Sequence, residues 1–358
     1  MRVLTLFALL LSFSLFIACS DDEPSVSIPI PDQFSVDIPA SISSNSGSLS
    51  GRTSGDGDGV IEGNEIYESL RYFIHLGEKS AEIVEFTLQV GAALSVHNVR
   101  SYTFDGDDDG REKRIDLVEN VTRGGVDYEY EMIMVDTENE DKALQILWNT
   151  NPVSGVAILN PYNLDRSDSE ADAGAFLRID YTEDDDTYEA TMTVSISGVE
   201  AVDNGDINNL KMFVGKNGDI VEVRGNSNHP NINIIDPDFT GGRNYAFVGR
   251  GDQATDLGVV NLWLPASSVT TNDFVQGDQY SVYDVLEAEI NEVANLDQQT
   301  IEDILAEAHS PAYFNAQGFI TSGVDNKPVS FEASFVDLTG MQPFVPNDVK
   351  NLSIDFIQ

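Results

Sequence analysis

The sequence predicts an α+β fold that is mainly β: a large antiparallel meander, either a curved sheet or an open barrel, with packing helices near both ends. Three observations support this fold class. From about residue 98 onward, apolar and polar residues alternate with a period of two through many short segments. The connections between these segments are short, whereas parallel neighbours would need long crossovers, so we expect antiparallel pairing. Segments of helical period precede and follow this series.

The helical segments lie at the two ends of the strand series. Over residues 62–95, apolar residues recur every three or four positions and form one broad stripe, which needs a partner surface. Gly77 is a point at which this segment could divide into two helices. After the strand predicted over 257–264, we expect helices over 280–296 and 298–309, with Asp297 as the N-cap of the second, and further strand-like segments then close the chain.

The strand pattern is clearest over 188–196, where Met192 and Val194 fall on one face and Thr191 and Thr193 on the other. Similar patterns predict strands over 126–135, 142–148, 153–159, 173–181, 210–215, 219–224, 244–249, 257–264, 313–321, 328–337 and 349–357.

Two polar connections indicate hairpins within this series. The sequence Lys216-Asn217-Gly218-Asp219 predicts a tight turn of type I′, because asparagine and glycine tolerate the positive φ angles that this turn requires. The acidic stretch 182–186 predicts a second hairpin loop.

The chain divides into three parts. We expect residues 1–18 to form a signal peptide and residues 19–60 to form the mature N-terminus and a flexible tether, which is rich in proline and then in serine and glycine. A short edge strand within this tether is the alternative to a simple spacer. Residues 61–358 form a single β-rich domain with helices at about 62–95 and 280–309.

The N-terminal part has the features of an export signal. A charged start precedes an apolar run that is shorter than the roughly 20 residues of a membrane span. The run ends in Phe16-Ile17-Ala18-Cys19, which resembles the lipobox of bacterial lipoproteins. The resemblance implies cleavage before Cys19 and acylation of its sulfur and its new amino group. Cys19 is the only cysteine, so an internal disulfide is excluded; the alternative is an ordinary signal peptide with an incidental cysteine.

The next four residues indicate where the anchored protein would be displayed. Ser20, Asp21, Asp22 and Glu23 form a sequence similar to the acidic export tag of Bacteroidota lipoproteins. The resemblance implies a lipid-anchored protein on the outer face of the outer membrane. Outer-membrane lipid is then its partner through acylated Cys19.

The composition is strongly acidic. The chain has 61 Asp and Glu residues against 19 Lys and Arg residues, for a formal net charge of −42. Such a surface repels nucleic acid and anionic lipid headgroups, so we expect no nucleic-acid partner. An acidic surface attracts divalent cations instead.

The strongest chemical signal is a stretch of glycines and acids that begins at Ser54 and ends at Glu65. It resembles the calcium loops of EF-hand and dockerin proteins, with oxygen-bearing residues at the expected positions and a glycine at the sixth. The resemblance implies calcium held by Ser54, Asp56, Asp58, Val60 through its carbonyl, Glu62 and Glu65. The alternative is a flexible linker whose acids favour the start of the following helix.

The remaining motifs do not indicate an enzyme. Residues 105–110 begin like a second calcium loop, but Glu112 occupies its aliphatic position, which favours a solvated hairpin tip. The four histidines lie far apart without metal-ligand spacing. The tripeptide Arg250-Gly251-Asp252 resembles an integrin-binding sequence, for which chance is the better explanation.

These features predict a surface-exposed lipoprotein with a non-catalytic binding or structural role, stabilised by calcium, whose partner is a protein or a hydrophobic ligand. The alternative is a carrier of lipid or another hydrophobic ligand in an open-barrel cavity. This alternative rests on topology alone, since the order of helix, meander and helix resembles periplasmic lipoprotein carriers. A large apolar cavity would favour the carrier and a filled core would favour the binding role. A hydrolase is the least favoured interpretation.

Overall fold

The computed structural model describes residues 29–31, 33–44, 63–95, 101–104, 110–166, 173–183, 185–201, 206–230, 243–264 and 281–358. Within these residues, thirteen strands form one open sheet in which each strand pairs with its sequence neighbours. The strands are β1 (Ser101–Phe104), β2 (Lys113–Arg123), β3 (Val126–Asp136), β4 (Lys142–Thr150), β5 (Val153–Leu159), β6 (Phe176–Glu183), β7 (Ala190–Ser197), β8 (Asn209–Asn217), β9 (Ile220–His229), β10 (Arg243–Asp252), β11 (Leu257–Trp263), β12 (Ala312–Asn315) and β13 (Gly318–Ser322). Every pairing is antiparallel, which confirms the predicted mainly β meander.

The helices are α1 (Gly63–Ser95), α2 (Pro161–Leu164), α3 (Val282–Val293), α4 (Gln298–Ile304), α5 (Ala333–Val336) and α6 (Pro346–Lys350). Asp297 caps α4 as predicted, since its side chain accepts a hydrogen bond from the backbone N–H of Thr300 at 3.1 Å. The predicted helix over 298–309 is too long, because the chain turns after residue 304.

The hairpin between β8 and β9 has the predicted position but a different turn type. Asn217 pairs with Ile220, so the loop consists of Gly218 and Asp219 alone. Only Gly218 has a positive φ, at 59°. A type I′ turn needs a positive φ at both loop residues, whereas type II′ needs it only at the first. The predicted type I′ is therefore wrong, and the glycine at the first loop position explains the difference.

Helix α1 covers one face of the sheet, which we call the inner face. It is continuous over 33 residues, so Gly77 does not divide it. Gly77 serves close packing instead: a Cβ atom at this position would lie 2.4 Å from Cε of Met212 on β8. Every residue from 66 to 74 except Glu68 is buried, so this part of α1 is enclosed on nearly all sides.

A segment before α1 supplies part of that enclosure. Residues 33–44 pack against α1 and the sheet, and Phe34, Val36 and Ile42 are each at most 1% exposed. The backbone N–H of Phe34 and the Ser35 hydroxyl donate to Glu85 Oε1 on α1, at 3.0 and 2.6 Å. The prediction of a flexible tether is therefore wrong for this segment. The rest of 19–60, apart from residues 29–31, lies outside the described residues.

The opposite, outer face of the sheet is crossed by residues 328–358, which we call the C-terminal strap. Its apolar side chains form two clusters on that face, one around Phe331 and Leu338 and the other around Ile354. The strands predicted over 328–337 and 349–357 are therefore wrong, because these segments join no sheet. The predicted strand over 313–321 is instead the β12–β13 hairpin. Alternation of apolar residues marks an extended segment with one buried face, whether or not it has a strand partner.

Sheet side chains hold the backbone of the strap. Asn226 Nδ2 donates to the carbonyl of Phe344 at 3.0 Å, and Asn209 Nδ2 donates to the carbonyl of Val349 at 2.9 Å. Gln145 binds both backbone groups of Ile357, donating to its carbonyl at 2.9 Å and accepting from its N–H at 2.8 Å. These bonds satisfy strap groups that would otherwise be buried without partners.

Candidate binding face

The residues predicted to anchor and display the protein lie outside the described part of the chain: Cys19, Ser20, Asp21, Asp22 and Glu23. The same holds for the calcium-loop residues Ser54, Asp56, Asp58, Val60 and Glu62. The last calcium-loop residue, Glu65, falls in the first turn of α1. Residues 105–109, the tip between β1 and β2, are also outside. All of these interpretations stay predictions.

The described histidines have separate structural surroundings. His75 Nδ1 lies 3.4 Å from the Ser43 hydroxyl and 3.3 Å from Glu78 Oε2. His229 is fully buried, with Nε2 2.7 Å from the Ser227 hydroxyl, and the ring of His309 stacks on Tyr283. Across the described ranges, no group of three or more His, Cys, Asp and Glu residues is arranged to hold a metal ion. His97 is outside these ranges.

One pocket on the outer face lies where the strap crosses the ends of β9 and β10. It has a volume of about 550 Å³ and is lined by Tyr188, Glu222 and Arg250, among others. The Tyr188 hydroxyl donates to Glu222 Oε2 at 2.7 Å, and Arg250 Nη2 donates to Glu222 Oε1 at 2.5 Å. Burial, followed by the hydrogen bond to Glu222, raises the pKa of Tyr188 to about 12.

Arg250 connects this pocket to the strap. Its Nη1 donates to the carbonyls of Ser334, Phe335 and Asp337, at 3.0, 3.0 and 3.1 Å. The Asp252 carboxylate accepts from the backbone N–H of Ala254 at 2.8 Å. Both charged residues of the Arg-Gly-Asp tripeptide therefore have structural roles: Arg250 binds the strap, and Asp252 binds the backbone of the turn that follows β10. The polar groups of this pocket hold the strap in place.

The second pocket on the outer face, of about 450 Å³, opens beside the strap between Phe344 and Ile354. Its floor consists of outward-facing residues of β6, β7, β8 and β9, and Arg178, Lys211 and Arg224 contribute three positive charges to it. Asp180 is the only acid in its lining. We call it the cationic pocket, because it carries positive charge in a chain whose net charge is −42.

The sheet register places the floor residues of the cationic pocket in two rows. Arg178 pairs with Ser195 and Ser195 pairs with Lys211, so these side chains form one row across three strands. In the next row, Phe213 pairs with Arg224. Directly opposed residues have Cβ atoms about 4.5–5.5 Å apart and diagonal neighbours lie about 7–8 Å apart. Lys211 and Arg224 are such diagonal neighbours, so their charges act on the same space.

Aromatic rings position these two cations. Lys211 Nζ lies 4.6 Å from the ring centroid of Phe344, and Arg224 Cζ lies 4.5 Å from that of Phe213. Neither cation has an ion pair or a hydrogen bond with any residue that the structure describes. Arg178 differs, because its Nη2 binds Asp180 Oδ1 at 2.6 Å.

Many other cations of the described chain are paired with acids, although Lys142, Lys216 and Lys327 have no ion pair with a described acid. The ion pairs are Arg71–Glu68, Arg111–Asp136, Lys113–Asp136, Arg114–Glu140, Arg123–Glu131, Arg166–Asp141 and Arg250–Glu222. The cationic pocket differs from these isolated cations because Lys211 and Arg224 lie on adjacent strands and line the same space.

Sequence reasoning missed the cationic pocket. The alternation of β8 does place Lys211 and Phe213 on the outward face, and the same reasoning applies to Arg178 and Arg224 on their strands. The signal that could have found the pocket is the appearance of bases at outward positions of neighbouring strands. Without the register, however, these four residues could not be placed side by side.

Comparison of the chain with protein-family models, with curated proteins and with solved structures finds no match. Among the described helices, none combines the length and the apolar character that crossing a membrane requires. The case for a function therefore rests on the residues and the geometry of this chain.

Proposed function

We propose that this chain is a lipid-anchored protein on the outer face of the outer membrane, with a non-catalytic binding role. The anchor and the display rest on the resemblance of residues 16–19 to a lipobox and of residues 20–23 to a surface-export tag. The acidic surface, with a net charge of −42, suits a soluble domain held away from a membrane by one lipidated end.

The observation that carries the binding role is the contrast between the two faces of the sheet. On the inner face, α1 occupies the space that a carrier would keep open for a hydrophobic ligand. Tyr67, Leu70 and Ile74 are fully buried there, and their cluster includes inward-facing residues from β2 to β12. On the outer face, two pockets of about 550 and 450 Å³ open beside the strap, within the range of about 300–1,000 Å³ that is typical of ligand sites.

A neutral apolar probe distinguishes this role from that of a carrier. We expect the full chain with Cys19→Ala, titrated with N-phenyl-1-naphthylamine, to show no saturable rise in fluorescence, because α1 fills the inner face. A lipid carrier of known activity serves as the positive control. Saturable uptake of about one probe per chain would contradict the proposal and favour the carrier.

We also propose that calcium stabilises the domain through the loop from Ser54 to Glu65. Ser54 is a neutral ligand, which suggests weak binding, with a Kd of about 10⁻⁴–10⁻³ M as in other extracellular modules. At about 10 mM calcium, binding to the folded state alone would then add about 1.4–2.7 kcal/mol to the free energy of unfolding.

Thermal melting tests the calcium proposal. We expect the melting temperature of the wild type to rise by a few degrees in calcium relative to chelator, and Glu65→Gln to lose that rise. Asp109→Asn, which removes an acid from the other Asp-rich loop, is the matched control and should respond like the wild type. An unchanged response in Glu65→Gln would place the ion elsewhere on the acidic surface.

A further inference from the structure

We propose that the cationic pocket binds a small organic anion, in which a carboxylate or a similar oxyanion group is attached to an apolar body. This inference rests on the proposed binding role and gives it a site and a class of ligand. Four properties of the pocket support it: its unpaired cations, its polar groups without partners, its apolar walls and its size.

The charges supply the first argument. Lys211 and Arg224 are half-buried and have no acid partner among the described residues. A half-buried charge has lost part of its hydration, and the rings of Phe344 and Phe213 compensate only in part. An oxyanion placed between these two cations would restore the missing interaction. A cationic ligand would be repelled, and a neutral one would leave both charges uncompensated.

Polar groups on the pocket floor supply the second argument. Ser195 stands between Arg178 and Lys211 in the first row, is 4% exposed, and has no hydrogen bond with a described residue. The Arg224 Nε is likewise buried without a partner in the described structure. A buried donor such as the Arg224 Nε–H is normally satisfied, so this N–H is available to an acceptor such as a carboxylate oxygen, and the Ser195 hydroxyl in the pocket lining can donate as well.

The walls and the size define the rest of the ligand. Leu352 and Ile354 of the strap and Phe213 and Phe344 place apolar surface beside the charged floor. The volume of about 450 Å³ matches a small molecule. An inorganic anion would satisfy the charges but would leave this apolar surface in contact with water, so we assign a ligand with an apolar body.

Calorimetric titration of the soluble full chain with Cys19→Ala tests the inference with matched probes. Benzoate carries the charge and the ring, benzamide has the same shape without the charge, and sulfate has charge without the ring. We expect benzoate to bind with a Kd of about 1 mM or tighter, and benzamide and sulfate to bind at least about tenfold more weakly. Equal binding of benzoate and benzamide, or no binding of benzoate, would overturn the proposal. If sulfate binds as tightly as benzoate, the apolar body contributes nothing to affinity, and the proposal of an organic anion is overturned in favour of an inorganic one.

Substitutions locate the binding. Lys211→Met and Arg224→Met should each weaken benzoate at least about tenfold, while Lys211→Arg should retain most of the affinity. Lys216→Met removes one positive charge from the same strand outside the pocket lining, and it should bind like the wild type. Unchanged affinity in both Met variants, with melting curves that show folded protein, would place benzoate elsewhere and overturn the proposal. The apolar-probe result and the release of Cys19→Ala from membranes do not depend on these titrations, so failure here is distinguishable from failure of the proposed function.

Discussion

Leu70→Asp is expected to lower the free energy of unfolding by about 5 kcal/mol or more, which is about a third or more of the roughly 5–15 kcal/mol that a folded domain typically has. Leu70 is fully buried in the enclosed part of α1. Truncation of a buried leucine alone costs about 2–5 kcal/mol. An aspartate at this position adds the cost of a buried carboxylate without a partner, or of the proton uptake that neutralises it.

Urea unfolding followed by circular dichroism measures this effect. Leu88→Asp, farther along α1 at 1% exposed, should behave similarly. Val293→Asp is the matched control, because Val293 ends a helix and is 46% exposed, and its stability should stay within about 0.5 kcal/mol of the wild type. If Leu70→Asp and Leu88→Asp unfold at the same urea concentration as the wild type, α1 is peripheral and the inner face is not filled as described.

The elements that the sequence predicted well are those with a long and regular period. α1 and the strands from β3 to β11 each repeat one pattern over seven or more residues. Where the loop between two consecutive strands is short, the strands can pair only in the antiparallel direction, because a parallel pair needs a long crossover. The turn at Gly218 was located for a different reason, since glycine and asparagine tolerate the positive φ angles that tight turns require.

The strap and the segment over 33–44 were misjudged because their structure depends on distant parts of the chain. Phe34 is buried by its contacts with α1 and the sheet, although its neighbours in the sequence are prolines and serines typical of a linker. The strap has the apolar alternation of a strand, but its backbone binds to side chains such as Gln145 and Asn226. Nothing local in either segment specifies these partners.

The cationic pocket illustrates the same limit for function. Its cations come from β6, β8 and β9, and its walls come from residues more than a hundred positions farther along the chain. Each of these residues has an ordinary sequence context. Only the register, which sets Arg178, Ser195 and Lys211 in one row, makes their combination visible. A site made of contiguous residues, such as a lipobox, can be predicted from the sequence because all of its residues are neighbours in the chain.

Cys19→Ala is expected to release the protein completely from the membrane fraction. Lipid chains contribute about 0.8 kcal/mol per buried CH₂, and stable anchoring takes more than one such chain. If acylated Cys19 is the anchor, the substitution removes all of the acyl chains at once. Ser20→Ala, which changes the adjacent residue and keeps the cysteine, is the matched control and should stay in the membrane fraction.

The acidic residues after Cys19 should control display rather than anchoring. Replacing Asp21, Asp22 and Glu23 together with alanine is expected to leave the protein in the membrane fraction, because Cys19 is still acylated, and to remove it from the cell surface. This variant separates the two parts of the N-terminal signal.

Protease treatment of intact cells tests whether the anchored protein faces the outside of the cell. We expect added protease to degrade the wild-type protein while a periplasmic marker stays intact, and the triple-alanine variant to be protected. A wild-type protein that survives the protease on intact cells, but is degraded once the outer membrane is opened, would contradict this expectation.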